Sequence, residues 1–158
     1  MFLETIDCNI SKTSETILFI VIYFQIYRRP IMFIDHIDHI VMTCFDLEAT
    51  KRFYTEILEL KLEVFGENRF ALRFGNQKIN LHQYGKEYEP KAHLPVPGSL
   101  DLCFISKLPI DEVITHLKKN NCPIVEGPVE RTGANGKIRS VYIRDPDLNL
   151  IEISEYLK

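Results

Sequence analysis

Four side chains, His39, His82, Asp101 and Glu152, occupy polar positions inside apolar, β-branched segments of this sequence. Imidazole and carboxylate are the donors by which proteins hold divalent zinc, nickel, iron and manganese. Leaving such groups buried and unpaired costs about 2 to 7 kcal/mol even for uncharged polar atoms. Either a cation or a closed hydrogen-bonded network would compensate that cost, and the residues alone leave both open. His36 precedes His39 by three positions in "FIDHIDHIV", the spacing of a helical metal pair. On a strand, however, residues three apart face opposite sides. The segment "IDHIVMT" is short and β-branched, so it reads as a strand, and only His39 joins the set.

These donors need elements to position them, and the chain supplies those elements twice. "RFALRFGNQKINLH" (69–82) written above "RSVYIRDPDLNLIE" (139–152) reads without a gap as strand, turn and strand, with His82 and Glu152 in register. Upstream, "DHIVMTC" and "LDLCFIS" are apolar strands. Each leads into an amphipathic helix, the first capped by Asp46 and the second opened by Pro109. Each module therefore reads β-α-β-β-β, over 36–83 and 99–156. The fold class is α+β: two modules forming a curved mixed sheet around a cavity, with helices on the convex face. Alternation puts His39, Val41 and Thr43 inward against Ile40 and Met42, and Asp101, Cys103 and Ile105 inward against Leu102 and Phe104. By symmetry the four donors are expected to converge. The Pro- and Gly-containing stretch 84–99 joins the modules.

With 158 residues, 46% of them apolar, the chain can bury one ordinary core. A net charge of −3 gives no general affinity for nucleic acid or acidic membranes, which leaves small-molecule ligands. Four cysteines without metal or disulfide spacing indicate a reducing, cytoplasmic setting. Residues 1–32 form an extension read as an added strand, a docking segment or a poorly ordered tail. Its apolar run, Ile17 to Phe24, is far short of the roughly 20 residues that span a bilayer.

The pattern "DHIVMTCFDLEATKRFYTEIL", a hairpin ending "INLH", then "GSLDLCFI" and "RDPDLNLIEI" resembles the glyoxalase/bleomycin-resistance group, the vicinal oxygen chelate superfamily, from residue 33 to the end. The resemblance implies a divalent metal ion held by His39, His82 and Glu152, with Asp101 at a site where many members carry His. It also implies Glu152 as catalytic base, a homodimer, and a lyase or isomerase reaction on a small oxygenated substrate through an enediolate-type intermediate. A ligand-sequestering module and an extradiol-type dioxygenase are the other readings. Arg131 and Arg139, flanking the Gly-containing loop 126–140, are the candidate substrate contacts. Two positions depart from the pattern: Glu59 and Leu148 stand where glycine is usual. A side chain at positive φ costs about 1 to 2 kcal/mol, so a shifted turn using Asn149 is expected.

Overall fold

The structure is a computed structural model that describes residues 33–158. The chain divides into two units, Met1–His36 and Ile37–Lys158. The readings made for residues 1–32 lie outside the described residues, and the fold below is that of the second unit. Among the described residues no helix is long and apolar enough to cross a membrane.

The first module comprises β1 (His39–Cys44), α1 (Leu47–Arg52) running on as a π turn (Phe53–Ile57), β2 (Lys61–Phe65), β3 (Arg69–Phe74) and β4 (Gln77–Gln83). The second comprises β5 (Asp101–Ile105), α2 (Ile110–Lys119), β6 (Glu126–Gly133), β7 (Gly136–Arg144) and β8 (Leu150–Tyr156). Sheet A has the order β1-β4-β3-β2 and sheet B the order β5-β8-β7-β6. In both, the first strand lies parallel to the fourth while the other pairs are antiparallel. This is the expected pair of β-α-β-β-β modules.

Local chemistry sets the helix ends. The Asp46 carboxylate accepts from the N–H groups of Glu48 and Ala49 at 2.9 and 3.0 Å, closing the first turn of α1. At the far ends, Glu59 and Asn121 take φ of 54° and 52°, and the following residues donate back to Tyr54 and Leu117. Leu148 also takes a left-handed conformation, φ 69°. The expected shift to Asn149 does not occur, because the buried Asp145 carboxylate holds the turn. It accepts from the N–H of Asp147, the N–H and side-chain amide of Asn149, and the Tyr54 hydroxyl at 3.0 Å.

One hydrophobic core serves both modules. It takes Met42, Leu72, Ile79 and Leu81 from sheet A, Val141, Ile143, Ile151 and Ile153 from sheet B, and Tyr54, Ile110, Val113 and Leu117 from the helical segments. Each such apolar side chain contributes about 1.5 to 3 kcal/mol when fully buried. The bond from Tyr54 to Asp145 and the edge-on rings of Phe74 and Phe104, 5.2 Å apart, tie the modules together. Sharing the helix-side core has a direct consequence for the donors. The other face of each sheet, bearing His39 in one and Glu152 in the other, points away from that core.

Candidate functional site

On the outer face of sheet A, β1 and β4 run in parallel register, with His39 opposite Lys78, Val41 opposite Asn80 and Thr43 opposite His82. The exposed His39 ring is steered by its neighbour: Nδ1 lies 2.6 Å from Asp38 Oδ1. When Nδ1–H donates to that carboxylate, Nε2 is the nitrogen left to coordinate, which is how metal-ligating histidines are held. Two buried polar atoms on this face, Asn80 Oδ1 and His82 Nδ1, have no hydrogen-bond partner among the described residues. They share a cavity of about 180 Å³ with His39, Val41, Phe65 and Arg69. His82 is only 6% exposed and stands edge-on to Tyr88 at 5.4 Å. Burial, reinforced by the Arg69 charge, pushes its pKa down and keeps it neutral.

Sheet B carries a connected polar cluster on its outer face. Glu152 lies opposite Cys103 on one side and Tyr142 on the other. Its carboxylate accepts from Ser154 Oγ at 3.3 Å and from the Tyr142 hydroxyl. Ser154 Oγ in turn lies 2.8 Å from Ser140 Oγ and 3.5 Å from Cys103 Sγ. Arg131 donates to the Tyr142 hydroxyl at 3.2 Å and to Glu126 at 2.6 Å. Burial first, then the bond to Glu152, raises the Tyr142 pKa. Asp101 is exposed, opposite Leu150.

Several expectations change here. The four donors do not converge within one chain: His39 and His82 belong to sheet A, Asp101 and Glu152 to sheet B, and the shared core lies between the two faces. Among the described residues, no group of three or more His, Cys, Asp and Glu side chains could hold a metal ion. The ladders also revise the equivalence of His82 with Glu152. His39 and Asp101 both open the ladder of a first strand, and two residues further on Val41 faces Asn80 while Cys103 faces Glu152. Asn80 is thus the counterpart of Glu152, and His82 that of Ser154. Gapless comparison of the hairpins failed because their turns differ in length, two residues at Gly75–Asn76 against five at 145–149. Arg131 shares the face of Glu152 and reaches the intervening Tyr142, whereas Arg139 projects from the opposite face of β7. There it forms two bonds with Asp111, at 2.8 and 2.9 Å, which removes it from the substrate contacts.

Of the remaining histidines, His36 and His93 are exposed. His116 places Nε2 2.8 Å from the Ile57 carbonyl at the end of the first helix. Asp38, Asn80 and Tyr142 were not singled out by sequence. The Asp-His dipeptide at 38–39 was a readable signal, and Asn80 shares the inward parity of His82. Tyr142 carried no signal beyond strand alternation.

The donor set suits a divalent ion in two halves. Sheet A offers an oriented imidazole and an unsatisfied amide oxygen, and sheet B offers two carboxylates, one braced by hydroxyl donors. Hard oxygen and imidazole donors together fit zinc, nickel, iron or manganese. Neither half has enough donors alone.

Comparisons with known proteins agree with this architecture. Residues 36–153 match the family model described as Glyoxalase/Bleomycin resistance protein/Dioxygenase superfamily. The chain is 58% identical over 126 residues to virulence protein STM3117 of Salmonella typhimurium, covering 80% of this chain and 88% of that protein. The crystal structure of that protein superposes with a TM-score of 0.78 over 80% of this chain and 100% of its own. Glyoxalase domain-containing protein RDO1 of Mycosarcoma maydis is 55% identical over 120 residues, 76% of this chain and 68% of that protein. Lactoylglutathione lyase from Agrobacterium tumefaciens is 25% identical, with a TM-score of 0.60 over 77% of this chain and 94% of its own.

Proposed function

The chain belongs to the Glyoxalase/Bleomycin resistance protein/Dioxygenase superfamily, and from that premise we propose a divalent-metal-dependent lyase or isomerase acting on a small oxygenated substrate. Its site is built between sheet A of one copy and sheet B of a second, in a homodimer. His39 and the Asn80 amide oxygen would hold the ion from one side, Glu152 and Asp101 from the other. The bound ion supplies Lewis acidity toward two neighbouring substrate oxygens. Glu152, held in place by the Tyr142 and Ser154 hydroxyls, takes a proton from the carbon beside the substrate carbonyl and returns it to the adjacent carbon. Arg131 positions the Tyr142 hydroxyl.

The observation that carries the reading is the sheet A half-site: His39 oriented by Asp38, beside an amide oxygen that is buried and unsatisfied. Apolar side chains on the same outer faces favour a second copy, with Val41 46% and Ile105 50% exposed. The 25% likeness to a lactoylglutathione lyase favours the reaction class. The three described cysteines are free, in keeping with a cytoplasmic setting.

Metal analysis of protein loaded with each candidate ion, followed by a screen of small α-oxygenated carbonyl compounds, tests the proposal. Stoichiometric uptake that is lost in His39→Ala and Glu152→Ala, with turnover that follows the metal, is expected. Ligand stabilisation without turnover, indifferent to chelators, would identify a sequestering module instead.

A further inference from the structure

We infer that the ligand of the sheet A face is a small organic carboxylate, its charge anchored by Arg69 and its apolar body lying under the linker 84–99. This deepens the proposed function and rests on it in taking the sheet A face as the substrate face.

Arg69 opens β3 just before the Phe70–Leu81 pair, which sets it beside His82 on the outer face. Its guanidinium lies 4.1 Å from the centroid of the Tyr88 ring, and Tyr88 in turn stands edge-on to His82. Among the described residues Arg69 has no carboxylate partner. Of the other cations around it, Lys91 pairs with Glu89 and Arg73 with Glu63 at 2.7 Å, while Lys78, over the Phe65 ring at 4.2 Å, does not line this cavity. Glu89 lines the same cavity but is paired with Lys91, whereas no ion pair engages Arg69 among the described residues. A planar guanidinium matches a carboxylate through two parallel N–H bonds.

The second observation is His82, more than nine-tenths buried and with Nδ1 unpartnered. It lines both the small cavity and an adjoining one of about 590 Å³. That larger space has Thr43 and His82 on its floor and is otherwise mostly apolar, with Val41, Leu94, Val96 and Leu100 in its walls. A ligand with one acidic end and an aliphatic or aromatic body fits the pair of cavities. The single guanidinium offers one planar pair of donors, which matches one carboxylate.

Calorimetric titration of the full chain, stripped of metal with chelator, against octanoate, octan-1-ol and octylamine tests this inference. Octanoate should bind at least about tenfold more tightly than octan-1-ol, and octylamine should not bind. Arg69→Gln should bring octanoate to the level of octan-1-ol while leaving the alcohol unchanged, and Arg73→Gln, on the same face, should preserve the wild-type ratio. Using the ratio within each variant removes any general loss of stability. Equal binding of acid and alcohol by wild-type protein, binding of neither, or an unchanged ratio in Arg69→Gln overturns the inference. Because the titration is free of metal, its failure is separate from a failure of metal uptake, which would remove the proposed reaction and leave the carboxylate preference standing.

Discussion

Replacing Gly98 by alanine probes the contact that seats the inter-module linker on the second module. Gly98 has φ 76°, and a Cβ there would lie 2.4 Å from the Asp147 carbonyl oxygen, about 1 Å inside ordinary van der Waals contact. Asp147 cannot easily retreat, since its carboxylate accepts from the Phe45 N–H at 3.1 Å and its own N–H is held by Asp145. Two costs add. A left-handed alanine costs about 1 to 2 kcal/mol, of which about 0.4 to 1 is returned by the stiffer unfolded chain. Overpacking against backbone adds about 1 to 3 kcal/mol. Gly75, with φ 50° and no atom near its missing Cβ, isolates the first cost. Gly75→Ala should therefore destabilise by about 0.5 to 1 kcal/mol, and Gly98→Ala by about 1.5 to 4. In thermal denaturation the second corresponds to a Tm about 5 to 12 °C lower. Urea unfolding of both variants, with matched m values, gives the comparison. If Gly98→Ala is no worse than Gly75→Ala, the linker is not seated on the Asp147 turn and the reasoning fails.

Tyr54→Phe removes one of the donors to the buried Asp145 carboxylate and should cost about 1 to 2 kcal/mol in urea unfolding at neutral pH, since the other donors remain; an unchanged midpoint refutes the bridge between modules. Arg139 holds the Asp111 carboxyl below its ordinary range, so the pair stabilises the fold above that range and ceases to do so as pH falls through the lowered value. The stability gap between wild type and Arg139→Ala should thus be small, present at neutral pH and closed in acid, with metal uptake unaffected throughout. Burial pushes the Cys44 thiol up to about 11. Mass-spectrometric mapping after brief alkylation should find Cys44 protected in native protein and modified once the fold is opened with urea; early labelling of Cys44 in native protein would contradict the packing of β1.

Much of the fold was legible because two periodicities survive in the sequence. Alternation sorted Ile40 and Met42 from His39 and Thr43, and the 3.6-residue period with Asp46 and Pro109 located both helices. Register was not legible. Strand content does not say how β1 slides along β4, and unequal turns concealed that Asn80, not His82, corresponds to Glu152. Which side of each sheet would be shared was equally hidden, because an amphipathic strand is compatible with either packing of the two modules. The expected shift away from Leu148 failed because the Asp145 network that holds the turn draws in a residue distant in sequence, Tyr54. Arg139 was misplaced for a simpler reason: it sits one residue from the inward parity of Ser140 and Tyr142.

The central claim is that the reactive site is completed only by a second copy, and subunit mixing tests it most directly. His39→Ala and Glu152→Ala damage opposite halves of the same site, so each homodimer alone should lose metal uptake and turnover. In a randomly exchanged mixture half of the dimers are mixed, and each of these retains one intact site and one doubly damaged site. Recovery of about a quarter of the wild-type metal content and activity, scaling with the mixed-dimer fraction, is expected. No recovery on mixing, with exchange demonstrated by native mass spectrometry, or a chain that stays monomeric while binding metal, would contradict it.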